Sequence, residues 1–157
     1  MGTVPGVGQK DTCILGEIKY NRPILMPIEY HVDHDLGIVR HRFSDELALA
    51  DFQLFWRELL TDPEVPDPLL MLADLRDCTF LIHGEDVHRI VATTIEPMIG
   101  DRRWLAAAVV ADTTQFGVTM QFTAYSYDLG VTEIFHDIDT ALAWLIETAR
   151  KSSSAAA

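Results

Sequence analysis

Between Asp74 and Asp86 the chain reads DLRDCTFLIHGED, its densest collection of side chains able to do chemistry. Asp74, Arg76, Asp77, Cys78, His83, Glu85 and Asp86 put carboxylates, a guanidinium, a thiol and an imidazole into one short stretch. Such groups can bind a metal, activate a nucleophile or dock a partner. Cys78, His83, Glu85, Asp86 and His88 are ligand types, but their spacing fits no metal motif. His83 and His88 are five apart, not the four that share one helix face. His31, His34 and His41 form a second group around a turn, which ordinary exposed strand histidines explain as well. No metal and no cofactor is expected. A reactive thiolate needs a cation or a helix N-terminus beside it. Arg76 and His83 offer the former, and the surrounding carboxylates oppose it. No GxSxG, HExxH, P-loop or GxGxxG pattern occurs, and Gly6-Val7-Gly8 precedes any strand. The seven residues are therefore assigned to a binding surface and not to catalysis. A solvated loop with a helix cap is the plainer alternative.

The elements that would hold this stretch follow from periodicity. Residues 1–25 are Gly-rich without a sustained period and read as a flexible extension. Met26-Pro27 opens the patterned region and is a candidate start of translation. Ile28 to Val32 alternates as a half-buried strand does. Asp33-His34-Asp35 supplies turn chemistry, and Gly37 to Phe43 returns as the second arm of a hairpin. Ser44 is the expected cap of a helix carrying Leu49, Phe52, Phe55, Trp56 and Leu59 on one stripe. Pro63, Pro66 and Pro68 end it. Leu69 to Ala73 reads as a strand covered on both faces, and Asp74 to Asp86 as a long loop at its carboxyl end. A helix follows from Glu85 to Ile99, with Pro97 kinking or ending it.

Trp104 to Ala111 is the most apolar run and the expected central strand. Asp112, Thr113 or Thr114 would cap a third helix. Val118, Phe122, Tyr125 and Leu129 should face the sheet there. Phe116, Met120 and Tyr127 fall on the opposite arc, an apolar contact stripe where a surface helix should be polar. A partner helix, a second copy of the chain, an apolar pocket wall or cover by the extension would each explain it. Thr132 to Phe135 is the last strand, and Asp137 caps the last helix. Residues 151–157 are low-complexity and expected to be a disordered tail. The fold class is α/β: one mixed, mostly parallel sheet with an N-terminal hairpin and four helices, in a domain spanning 26–150.

The chain has 157 residues, 24 acidic and 12 basic, for a formal charge of −12. That charge repels nucleic acid and anionic lipid. Arg40-His41-Arg42 and Arg102-Arg103 are basic spots on the acidic body, read as solvated strand ends. No apolar run approaches the ~20 residues of a membrane helix. Two cysteines, Cys13 and Cys78, make no disulfide framework, which fits a reducing, cytoplasmic setting.

Ala73-Asp74-Leu75-Arg76, Ile134-Phe135-His136-Asp137 and Ala141-Leu142-Ala143-Trp144-Leu145, in that order and spacing, resemble the STAS domain (sulfate transporter and anti-sigma factor antagonist). The resemblance is to its SpoIIAA-like branch and covers about Met26 to Ile146. It implies a non-enzymatic regulatory or interaction module. It also implies a switch by phosphorylation of a Ser or Thr at the helix after the Asp-ending strand. Here that helix start carries Glu85 and Asp86. Thr79 is the sole hydroxyl in the stretch and does not align with the site, so the phospho-Ser switch is not expected. The branch is further implied to bind apolar ligands or to associate with membranes. Two kinds of partner are therefore expected: a protein, with a homodimer among the options, or a small apolar ligand. An enzyme built on Cys78 comes third. A ligand carrier would show an apolar pocket of roughly several hundred Å³, and an interaction domain a filled core with an exposed patch.

Overall fold

Alternating apolar residues build five strands, and the computed structural model, which describes residues 27–156, joins them in one sheet. The extension over 1–25, the start at Met26 and Cys13 lie outside the described residues. The strands are β1 (Ile28–Asp33), β2 (Ile38–Leu47), β3 (Leu69–Phe80), β4 (Trp104–Val109) and β5 (Gly130–Phe135), and they lie side by side in that order. β1 and β2 pair antiparallel through the expected hairpin, with Gly37 at φ 68 in its turn. The other three junctions are parallel. The fold is thus the mixed α/β sheet anticipated, with β3 rather than β4 at its centre. β3 is twelve residues long and pairs on both sides.

Helices α1 (Leu49–Thr61), α2 (Gly84–Ile90) and α4 (Thr113–Tyr125) cover the front of the sheet; α5 (Ile138–Ala156) covers part of the back. α2 runs into a π-helical turn, Val91–Ile95, and a last short turn, α3 (Glu96–Ile99), with Pro97 near its start. Pro97 has no N–H to donate backwards, so the chain widens before it and resumes after it.

The front core is large and aromatic. Phe52, Phe55, Trp56 and Leu59 of α1 meet Phe43, Met71 and Trp104 of the sheet and Val87, Ile90 and Ile95 of α2 and the turn after it. The back core is small: Ile38, Leu72, Ala107 and Val109 beneath Ala141 and Leu145 of α5.

Two boundaries and one basic residue differ from the sequence reading. Ser44 caps nothing: β2 bulges between Arg42 and Ser44 and continues to Leu47, so α1 starts at Leu49, where the Asp51 carboxylate accepts the Ala48 N–H at 2.8 Å. A helix stripe from Leu49 was visible, but a bulge leaves no period to read. The tail expected over 151–157 is instead helical to Ala156. An established helix extends at little cost per residue, and Ala and Lys favour it. Arg102 is no solvated strand end either. Its guanidinium donates to the carbonyls of Leu60, Met98 and Ile99, closing the ends of α1 and α3.

Candidate functional site

The stretch Asp74 to Asp86 is a strand more than a loop. β3 carries it to Phe80, pairing Asp77, Cys78, Thr79 and Phe80 with Ser44 to Leu47 of the prolonged β2. β4 stops alongside Asp74, so β2 and β3 project past the sheet as a two-stranded ribbon. The polar run hid this, because Leu47, Leu75 and Cys78 are buried while most of the other ribbon side chains stay outside and follow no apolar alternation.

The projecting groups satisfy one another. Arg76 grips Asp74 with two hydrogen bonds, 2.8 and 2.9 Å, and holds its carboxyl below the usual range. Arg42 reaches Asp77 at 3.1 Å across the strands. His83 precedes α2 and gives its backbone N–H to Asp86 at 3.0 Å, while Glu85 lies in the first turn. Asp137 caps α5 by accepting the N–H and hydroxyl of Thr140, which holds its carboxyl low with some help from Arg76. Among the described residues no three His, Cys, Asp or Glu side chains gather around one point. Asp74, Arg76, Asp77 and Asp86 are thus engaged in ion pairs and a cap.

Cys78 is buried, with its Sγ–H directed to the Leu75 carbonyl at 3.2 Å. Burial, then the Asp112 carboxylate, pushes its thiol up to about 12. At neutral pH it is no nucleophile.

What the sequence did not disclose is the polar inner face of α4. Its buried residues are Gln115 and Thr119. The Thr119 hydroxyl turns back to the Gln115 carbonyl at 2.8 Å, so it is not left unpaired. Gln115 locks the helix start to the ribbon. Its amide nitrogen donates to the carbonyls of Cys78 at 2.9 Å and Arg76 at 3.3 Å, and its oxygen accepts the N–H of Ala111 at 2.6 Å. Asp112 completes the expected cap, accepting the Gln115 N–H. The signal was present as a capping box, Asp112 to Gln115. Val118 and Phe122 face inward as expected and Leu129 is buried, but Tyr125 lies outside against His88, with rings 4.8 Å apart. Phe116, Met120 and Tyr127 are exposed, Tyr127 at 80%.

Behind α4 lies an apolar cavity of about 90 Å³. Its floor is small because the strands are small there: Ala73 of β3 and Ala106 and Ala108 of β4 put only methyl groups on the front face. Phe43, Phe52, Phe55, Trp56 and Phe122 wall it. Trp56 and Phe122 stack at 6.0 Å and 17°. Aromatic rings are too stiff to collapse into the trough left by three alanines. The chamber is smaller than the several hundred Å³ anticipated for a carrier. It is also smaller than the ~150 Å³ engineered cavity that holds benzene in another protein.

His41 is among the residues around this chamber. The sequence suggested an exposed strand histidine between two arginines. Arg40 and Arg42 do point to the back, Arg40 onto Asp33 at 3.2 Å. Alternation then sends His41 to the front, where it is 5% exposed and meets Phe55 edge-on at 5.0 Å. Burial alone drops its pKa to about 3, so the ring is neutral.

No protein-family model matches the chain, and none of the curated proteins does. Among solved structures, the chain is similar to an uncharacterized protein of the DUF3478 family from Shewanella loihica PV-4, described as having a SpoIIAA-like fold. The two share 14% identity over 75% of this chain and 93% of that one, with a TM-score of 0.49. No helix among the described residues is long and apolar enough to cross a membrane.

Proposed function

We propose that this protein acts by binding, taking a small, mainly apolar ligand into the chamber between the alanine floor of the sheet and helices α1, α2 and α4. The observation that carries this reading is the chamber itself, a gap built from the smallest side chains beneath the stiffest ones. Interiors are normally close-packed, and a void forfeits contact energy on all its walls. The ribbon groups support binding less well, since ion pairs and a cap already engage them. α4 is the wall best suited to give way. It is tied at its start by Gln115, while its buried Thr119 hydroxyl bonds within the helix and not to the sheet. Turnover has no support from Cys78, whose thiol is held in its neutral form.

The test is uptake of benzene, which needs α4 to move outward, and of co-purifying molecules, followed by NMR and native mass spectrometry, in the wild type and in Ala108→Val. The valine should fill the floor, keep the fold and abolish uptake. Equal uptake by both proteins, or none by the wild type, would defeat the reading.

A regulatory, protein-binding role is the second reading, favoured by the exposed apolar side chains Phe116 and Met120 of α4 and Tyr127 just past its end. Met120→Glu should then change the sedimentation coefficient or partner capture without unfolding the chain. Unchanged sedimentation and capture would remove it.

A further inference from the structure

We infer that the outer face of α4 pairs with the same face of a second copy of this chain, the two helices crossing antiparallel about a two-fold axis at Met120. The inference rests on the protein-binding reading of that face and names its partner.

Residues 113–127 contain no Asp, Glu, Lys, Arg or His, the longest such run in a chain of formal charge −12. The other described helices, α1, α2, α3 and α5, each carry carboxylates. A buried strand has cause to be uncharged, but this run shows a face to solvent. Phe116 is 41% exposed and Met120 49%. A β-carbon on Gly117 would meet nothing within 4 Å, so the helix backbone is open to close approach there.

The charge pattern selects the occupant. Two bodies at −12 repel one another over most of their surfaces, and an uncharged face is where that repulsion is least. A basic partner would be drawn to the carboxylates elsewhere and gain nothing from α4. A second copy brings a face equally free of charge.

Side-chain size sets the direction. Thr113, Phe116, Gly117, Met120, Thr123 and Ala124 fall in one arc of the helix. A two-fold axis at Met120 makes the contact isologous, so residues equally far before and after it meet. An antiparallel pair sets bulky Phe116 against small Ala124, and exposed Tyr127 just past one helix against Thr113 at the start of the other. A parallel pair would set Phe116 on Phe116 and leave a gap at Gly117. Thr113 to Tyr127 spans only roughly 20 Å. So short a contact buries less than the ~800 Å² per partner of a standard interface. The dimer is therefore reversible, forming at about 10–100 μM.

Sedimentation equilibrium on the full chain tests this, in the wild type, Met120→Glu, Met120→Lys and an equimolar mixture of the two variants. The wild type should dimerise, and more tightly as salt rises from about 0.05 to 0.5 M, because salt screens the repulsion between the two acidic bodies. Each variant alone should dimerise at least tenfold more weakly, since like charges then meet on the axis. The mixture should regain the dimer, a result that loss of folding in either variant could not give. A wild type that stays monomeric to about 1 mM, with α4 left to another partner or to this chain's own residues 1–26, overturns the inference. That result spares the protein-binding reading if Met120→Glu still abolishes capture of a different protein. Dimerisation that survives Met120→Glu, or that weakens with salt, places the contact elsewhere and overturns it as well. Variants that stay apart when mixed overturn the crossing at Met120.

Discussion

His41 shows how one residue can hold a cost that the rest of the fold must offset. Its pKa lies at about 3 in the folded chain, against 6.5 for an ordinary solvated imidazole. Below pH 6.5 the unfolded chain takes up a proton that the folded chain refuses. Stability attributable to His41 is therefore complete above about 6.5 and is lost as pH falls toward 3. The folding constant should drop by roughly one decade per pH unit in that window, on top of the carboxylate contribution. His41→Phe should lose this slope and, at pH 7, gain roughly 1–3 kcal/mol by removing a nitrogen that has no partner among the described residues. Urea unfolding of both proteins between about pH 5 and 7.5 measures slope and offset. A variant that is less stable at pH 7 would mean the nitrogen is satisfied in solution. Little in the chain warned of this residue. Flanking arginines made the segment look solvated, yet strand alternation alone sends the middle residue to the opposite face.

At the scale of elements, α4 departs from the usual helix. Its inner side presents Gln115 and Thr119 beside Val118 and Phe122, and its outer side exposes Phe116 and Met120. Val118 and Phe122 dock it by apolar contact, and the Gln115 bridge fixes its start. Gln115→Ala should cost about 1–3 kcal/mol, since it strands the Cys78 carbonyl. It should also free the helix start, seen as faster benzene exchange if the ligand enters past α4. Line-shape analysis of bound and free benzene measures that rate, and an unchanged rate would place the entrance elsewhere. The outward stripe was legible as a second apolar arc; the inward glutamine was not, because a capping motif and a tertiary bridge look identical in sequence. Gly130 marks another close approach. A β-carbon there would fall 2.5 Å from the Trp104 indole, which stacks on Phe122. The strand edge and the helix are thus coupled through a missing side chain.

For the molecule as a whole, the order of strands and helices along the chain was readable because each repeats its own period across several residues, whereas the central place of β3 in the sheet was not. The hairpin, the parallel strands and the caps at Asp112 and Asp137 needed no tertiary information. The ribbon of β2 and β3, the chamber and the buried imidazole were hidden for a shared reason: each depends on residues brought together from separate strands. Ala73 and Ala108 look like ordinary strand alanines until the register places them side by side. One division of the fold has its own outcome. The sheet separates a broad aromatic core from a narrow one that, among the described residues, α5 alone roofs. The narrow layer can open while the broad one stays shut, as a sub-global event of its own. Amide hydrogen exchange should find α5 protected less than β3 and α1, with a smaller dependence on denaturant. One common opening free energy for all three would show that the two layers act as a single cooperative unit.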